Sequence, residues 1–332
     1  MLPNRRRALR WAVVTLVGLF AATEVGFRVF LGLGSPPLSY ADPDYGYAFK
    51  PNQNLRRFGR RVFYNEEGFR SEPLPAVKPP GELRVLCIGD SVTNGGVLTD
   101  QSQTYPYLLE AELRRAGLQA RALNASAGSW GVENELAWLK KRGLFSSDVV
   151  VLQIGTHDLA QRKSTGDKVG RDVSLPDHKP LLAWQELVER YAGPRLANWL
   201  ESPREAPVPT EEDHRTCMSV IGEMIEVVRS RSAKPVILLT PDREELDRPN
   251  RSERWRGDLI ELAHRERAPL VDMLEVFRRE PDRGHGAFRD DVHPNERGNL
   301  LMARAVAQEI LRLAKQTSGT AKEDNPAPGR WP

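Results

Sequence analysis

The chain has 332 residues, 40% of them hydrophobic, so it can bury a real core, and one α/β domain with appendages fits the length. Its 48 basic and 45 acidic residues leave a net charge of only +3, which excludes the footprint of a nucleic-acid binder. Two cysteines, Cys87 in an apolar run and Cys217 in a helix-like stretch, argue no disulfide framework.

At the N-terminus, Arg5, Arg6, Arg7 and Arg10 precede an apolar run from Trp11 to Thr23. Counted on to Leu33, the segment reaches the roughly 20 residues that a membrane span needs. Glu24 and Arg28 lie one helical turn apart and can pair. The leading basic residues place the N-terminus inside and the bulk of the chain outside. An uncleaved signal anchor, a cleaved signal peptide and a buried amphipathic helix compete. No Ala-x-Ala site is obvious, so the anchor is preferred over residues 1–34. It would hold the protein to the membrane through residues 11–33, with the rest periplasmic or at the cell surface.

Residues 35–80 are rich in prolines, aromatics and arginines without periodicity. They read as an extended juxtamembrane segment, with a short hairpin around Val62–Tyr64 and Glu67-Gly68. From Leu83 strands and helices alternate. Strands are expected at 83–88, 120–125, 148–154, 235–239 and 269–272. Helices are expected at 104–116, 132–142, 181–200, 210–231, 252–266 and 295–315, and residues 159–180 read as an irregular insertion. Five β-then-α units mean a mostly parallel sheet with helices on both faces, an α/β domain over 81–316. A polar, disordered tail is expected over 317–332.

The apolar run Val85–Ile88 ends in Gly89-Asp90-Ser91, which presents a hydroxyl at the carboxyl edge of the sheet, where open α/β folds place their sites. A helix beginning there would turn its positive end toward Ser91. Strand 120–125 runs into a glycine loop, Gly128 to Gly131. Strand 148–154 ends in Gly155-Thr156-His157-Asp158. Asp290 and His293, three apart ahead of the last helix, can supply a base and the group that orients it, in a loop that Pro294 keeps from being helical.

These four stretches, in this order over about 83–315, resemble the blocks of the SGNH (GDSL-type) hydrolases. The resemblance implies a flavodoxin-like three-layer α/β/α fold and ester hydrolysis or acyl transfer without a cofactor or metal. By it, Ser91 is the nucleophile, His293 the general base and acid, and Asp290 its partner. The oxyanion would be held by the Ser91 N–H, a second-block N–H and a third-block side chain. For the second block Gly128, Ser129 and Gly131 are candidates, with Gly128 placed first. In the third block His157 stands where the family usually has asparagine. A neutral imidazole can still donate one N–H. The anchor and Asn65–Arg70 also resemble membrane-tethered bacterial members.

Simpler readings accompany these. Asp90 is expected to bond nearby backbone, and Asp158 to brace its loop. Asn94 is a candidate substrate contact with an equal case for a turn role. Trp130 is a candidate wall of the acyl pocket or a packing residue. His285, Asp290, Asp291 and His293 match no metal-site spacing. The function expected is a membrane-anchored esterase removing small, acetyl-type groups, with acylated surface carbohydrate as a plausible substrate. An O-acetyltransferase and a non-catalytic binding module of the same fold are the alternatives.

Overall fold

The computed structural model describes residues 5–200, 208–247 and 252–323. A helix, α1 (Arg5–Gly26), continues through a wider π turn (Phe27–Leu31). Two antiparallel hairpins follow, β1 (Ser39–Asp42) with β2 (Gly46–Phe49), and β3 (Gln53–Arg57) with β4 (Arg60–Tyr64). The main domain then alternates β5 (Leu83–Gly89), α2 (Ser91–Asn94), α3 (Tyr105–Arg115), β6 (Ala120–Ser126), α4 (Val132–Arg142) and β7 (Val149–Gly155). Helices α5 (Ala183–Glu186), α6 (Gly193–Leu200) and α7 (Glu211–Ser230) lead to β8 (Lys234–Thr240), α8 (Ser252–Arg265), β9 (Leu270–Asp272), α9 (Met273–Arg278) and α10 (Glu296–Glu323).

The five strands β5–β9 form one parallel sheet in the order β6-β5-β7-β8-β9, the flavodoxin-like 2-1-3-4-5 arrangement. Strands buried on both faces require nearly continuous apolar runs, and Val85–Ile88, Val149–Leu152 and Val236–Leu239 supply them. Successive side chains point to opposite faces. Leu86, Ile88, Leu152 and Ile237 therefore meet Leu139, Ile221, Ile225 and Leu259 on one side. Val85, Cys87, Val151 and Leu238 meet Leu109, Phe277, Met302 and Val306 on the other. The three layers are those expected, and each parallel strand lies within a residue or so of its expected place. Both cysteines are buried and unpaired.

Three stretches differ from expectation. The hairpin near residues 62–64 turns at Phe58-Gly59 rather than at Glu67-Gly68, because Arg57 pairs with Arg60 across a two-residue loop. A second hairpin, 39–49, lacked any alternating pattern to reveal it. Together with the segment after them the hairpins form a cover over the domain: Tyr45, Tyr47 and Phe69 join the core, and Tyr64 is buried against Phe49. The last helix passes the expected boundary at Thr317 and runs to Glu323, while 324–332 of the expected tail lie outside the described residues.

One ion pair anchors this cover. The buried Arg57 guanidinium bonds the Glu186 carboxylate and the Gly32 carbonyl, and Glu186 also accepts the Gly34 N–H at 2.6 Å. Removing one partner strands a buried charge, which typically costs about 3–5 kcal/mol. Glu186→Ala is therefore expected to lower the denaturation midpoint strongly in urea, whereas Glu189→Ala, at an exposed position, leaves it unchanged.

Candidate active site

β5 ends at Gly89, where a side chain would not fit as the surroundings stand. A β-carbon would lie 2.3 Å from Thr93 Oγ1. Asp90 then caps α2, accepting the Val92 N–H at 2.8 Å, and Ser91 is the first helical residue. The first N–H groups of a helix have no partner within it, and the Ser91 N–H finds none among the described residues.

The second partner arrives from the loop ahead of α10. Phe288 bridges Pro294, and Arg289 N–H donates to the His293 carbonyl at 2.8 Å, closing the loop. The Asn299 side chain bonds the Pro294 carbonyl and accepts the Tyr105 N–H, tying this loop to α3 beside the nucleophile turn. Asp290 Oδ1 accepts the backbone N–H groups of Val292 (3.0 Å) and His293 (2.7 Å). Its carboxylate meets His293 Nδ1 at 2.9 Å, and His293 Nε2 lies 2.8 Å from Ser91 Oγ. Partial burial opposes charge on Asp290, but the two N–H groups and His293 outweigh it and hold its pKa below the usual value. A carboxylate can only accept, so the proton sits on Nδ1 and leaves Nε2 to accept from the Ser91 hydroxyl. Asp291 is exposed, and its backbone carbonyl accepts the Arg243 N–H.

Of the second-block candidates, Gly128 lies beside the serine: a β-carbon built there would be 3.9 Å from Ser91 Cβ. The Gly131 N–H is already donated to Asn134 at 3.1 Å. Tyr47 from the hairpin cover holds the loop by donating to the Gly128 carbonyl at 2.6 Å.

His157 is placed differently from expectation, while Asn94 and Trp130 take the simpler of the two roles expected of each. His157 is not free to donate to an oxyanion, because both ring nitrogens face acids: Nδ1 lies 2.9 Å from Asp242 and Nε2 lies 3.0 Å from Asp90. Gly155 makes room for the ring, since a β-carbon there would sit 2.3 Å from His157 Cε1. Asn94 is buried, bonding Ser126 through its nitrogen and accepting from Tyr64 and Gly96 through its oxygen, so it shapes the turn rather than meeting substrate. Trp130 is core: it is 1% exposed and donates to the Tyr47 carbonyl at 2.9 Å.

Behind the hydroxyl lies a charged chain that sequence reasoning missed, because its members come from four separate elements. Asp90 Oδ2 sits 3.3 Å from Ser91 Oγ and also holds His157. With its amide oriented to satisfy its neighbours, Gln153 donates to Asp90 Oδ1 at 3.0 Å. Asp158 Oδ1 lies 3.5 Å from His157 Nε2, while Asp158 Oδ2 accepts the Gly155 N–H. Burial opposes charge on His157, but the Asp158 charge and the hydrogen bonds to Asp242 and Asp90 raise its pKa well above the ordinary value. Burial would raise the Asp90 pKa, yet the His157 bond lowers it overall. Asp158 moves the other way, raised by burial and the Asp90 charge. Glu135, fully buried on α4, is raised well above its usual value by burial and the charges of Asp158 and Asp90. Asp90, His157 and Asp158 have ligand atoms within 4.8 Å of one another, a spacing that suits a cation. The imidazolium itself fills that role, balancing the acids around it.

The pKa of His157 is raised on folding. A folded-state pKa above the unfolded value of about 6.5 gives stability that is complete below that value and is lost as pH rises through the folded pKa. The melting temperature of the wild type is therefore expected to fall on the alkaline side more steeply than that of His157→Gln. Parallel curves from pH 6 to 10 would remove the imidazolium from this account.

A hydroxyl, an imidazole and a carboxylate in line at the carboxyl edge of a flavodoxin-like sheet is the arrangement of the SGNH hydrolases. The profile of the GDSL-like lipase/acylhydrolase family matches residues 87–301, and the chain belongs to that family of ester-cleaving enzymes. It is 36% identical over 251 residues, 71% of its length, to an acetylxylan esterase of Xylanibacter ruminicola. It spans 45% of that curated relative's length. Among solved structures it is similar to an acetylxylan esterase from Geobacillus stearothermophilus (17% identity, 68% of this chain and 93% of that one, TM-score 0.44). A GDSL-like lipase from Bacteroides thetaiotaomicron is likewise similar (14% identity, 72% and 93% coverage, TM-score 0.45).

Proposed function

We propose that the protein is a serine esterase that removes acetyl-type groups through an acyl-enzyme, held to a membrane by α1. The Ser91–His293–Asp290 line is the observation that carries this reading. His293 Nε2 takes the Ser91 proton as Oγ attacks the ester carbonyl, and Asp290 holds the tautomer and balances the imidazolium. The new oxyanion meets the N–H groups of Ser91 and Gly128. His293 then protonates the leaving alcohol, and a water, deprotonated by the same nitrogen, releases the acid and restores Ser91. Asp90 and His157 brace the nucleophile turn and do not touch the ester.

An acetyl group on carbohydrate is supported by the acetylxylan esterase relative, which carries that activity in its own name. Membrane attachment is supported by the helix Arg6–Leu31, which is 26 residues long and contains an 18-residue stretch of mean hydropathy 1.7, enough to suit a span. The arginines ahead of it favour an extracytoplasmic catalytic domain. Aryl esters of increasing acyl length, compared with acetylated xylan, test the substrate class. Acetate esters are expected to give the highest kcat/KM, with acetate released from the polysaccharide. A preference for octanoate over acetate would overturn the acetyl reading while leaving the esterase intact.

A further inference from the structure

The stretch 181–200 begins against α1, to which Leu181, Ala183 and Trp184 are bonded near the end of the proposed span. Glu24 accepts the N–H groups of Ala183 (2.8 Å) and Trp184 (3.1 Å). Arg28 pairs with Glu24 at 2.7 Å and donates to the Leu181 carbonyl at 2.7 Å. Trp184 donates its indole N–H to Thr23 at 3.0 Å, and its ring stacks on Phe20 and meets the edge of Phe27. These contacts explain how a glutamate and an arginine persist in an apolar helix: each is paired or capping backbone.

Their position sets the depth of the attached segment. A span of about 20 residues beginning at Trp11 ends at Phe30. Thr23 to Arg28 lie two to seven residues short of that point, which is roughly 3–10 Å along a helix rising 1.5 Å per residue. Residues 181–184, bonded to them, are therefore carried to the boundary between acyl chains and headgroups.

The side chains there are apolar and uncovered. Leu181 is 88% exposed, Val188 53% and Leu196 56%. From Trp184, steps of four reach Val188, Ala192 and Leu196, one face of the helical stretch 183–200. Pro194 lacks the N–H that an α-helix would need, and Gly193 donates instead to the Val188 carbonyl in the wider π turn Leu187–Ala192. The helix thus passes through Pro194 without ending. Trp184 joins this stripe to the side of α1, so the two apolar surfaces are continuous.

We infer that helix 183–200, with Leu181 and Leu182 before it, lies in the outer boundary of the membrane that α1 crosses, with its Trp184–Val188–Leu196 face against the lipid. The catalytic domain is then held at one orientation to the surface instead of swinging on a tether, and the N-terminal helix is retained as a working part. The occupant is lipid because the exposed face continues a lipid-facing helix at lipid depth. The inference rests on the membrane reading of α1.

The full chain in lipid nanodiscs tests it, with Leu196→Cys, Val25→Cys and Gln308→Cys each carrying an environment-sensitive fluorophore. The native cysteines are buried. The Leu196 and Val25 labels are expected to shift to the blue and lose fluorescence to lipids bearing a nitroxide on the acyl chain, while the label at exposed Gln308 on α10 does neither. A Leu196 label that behaves like Gln308 while Val25 is quenched would overturn the inference and leave the anchor standing. Three unquenched labels would overturn the anchor and the inference together.

Discussion

Ser91→Ala is expected to lower kcat for aryl acetate hydrolysis by about 10⁴-fold or more, with the fold intact. The side chain is half-buried, and its loss leaves no charge unpaired. Nothing nearby can replace it. Thr93 is fully buried and bonds Gln153, so its hydroxyl cannot reach an ester. Asp90 is beside Ser91 but is bound to the Val92 N–H and to His157. What remains in the variant is binding and the two backbone N–H groups, which still favour attack by water. Steady-state kinetics on wild type and variant, with circular dichroism as the check on folding, measure the loss. A decrease below tenfold would mean that the hydroxyl is not the nucleophile.

His293→Ala should cost as much as Ser91→Ala, and the double variant no more than either. A nucleophile and its base act as one unit, so removing either member forfeits what both provide. Asp290→Asn keeps the loop but replaces an acceptor with a group that can present N–H to Nδ1. The imidazole can then hold its proton on Nε2, facing Ser91, where it blocks acceptance of the serine proton. A loss of about 10⁴-fold in kcat is the usual consequence of that tautomer error. Additive losses in the double variant would argue that Ser91 and His293 act independently, contrary to their 2.8 Å contact.

The parallel sheet was legible because its strands are short, apolar and separated by helices, a pattern that local periodicity reports directly. The helix 132–142 was placed to the residue, since glycines bracket it. The approach of Ser91, His293 and Asp290 was readable from the order of motifs along the chain. The hairpin cover was not legible, because Arg57, Arg70, Tyr47 and Tyr64 satisfy their polar groups against partners distant in the chain, which no local pattern announces. Arg70, for example, bonds carbonyls of Asn94, Gly96 and Thr99. The same limit applies to His157. Its place in the motif suggested an oxyanion donor, yet its two nitrogens are claimed by Asp90 and by Asp242, 85 residues further along the chain. Trp130 and Asn94 sit beside the site in sequence, but the cover folds over them.

The most direct test of the central claim is intact mass spectrometry of the full chain after exposure to a fluorophosphonate, followed by peptide mapping. One phosphonyl group per chain is expected, on Ser91, with labelling slowed strongly in His293→Ala and absent in Ser91→Ala. A folded wild-type protein that takes up no label, or takes it up on another residue, would contradict the serine acyl-enzyme mechanism.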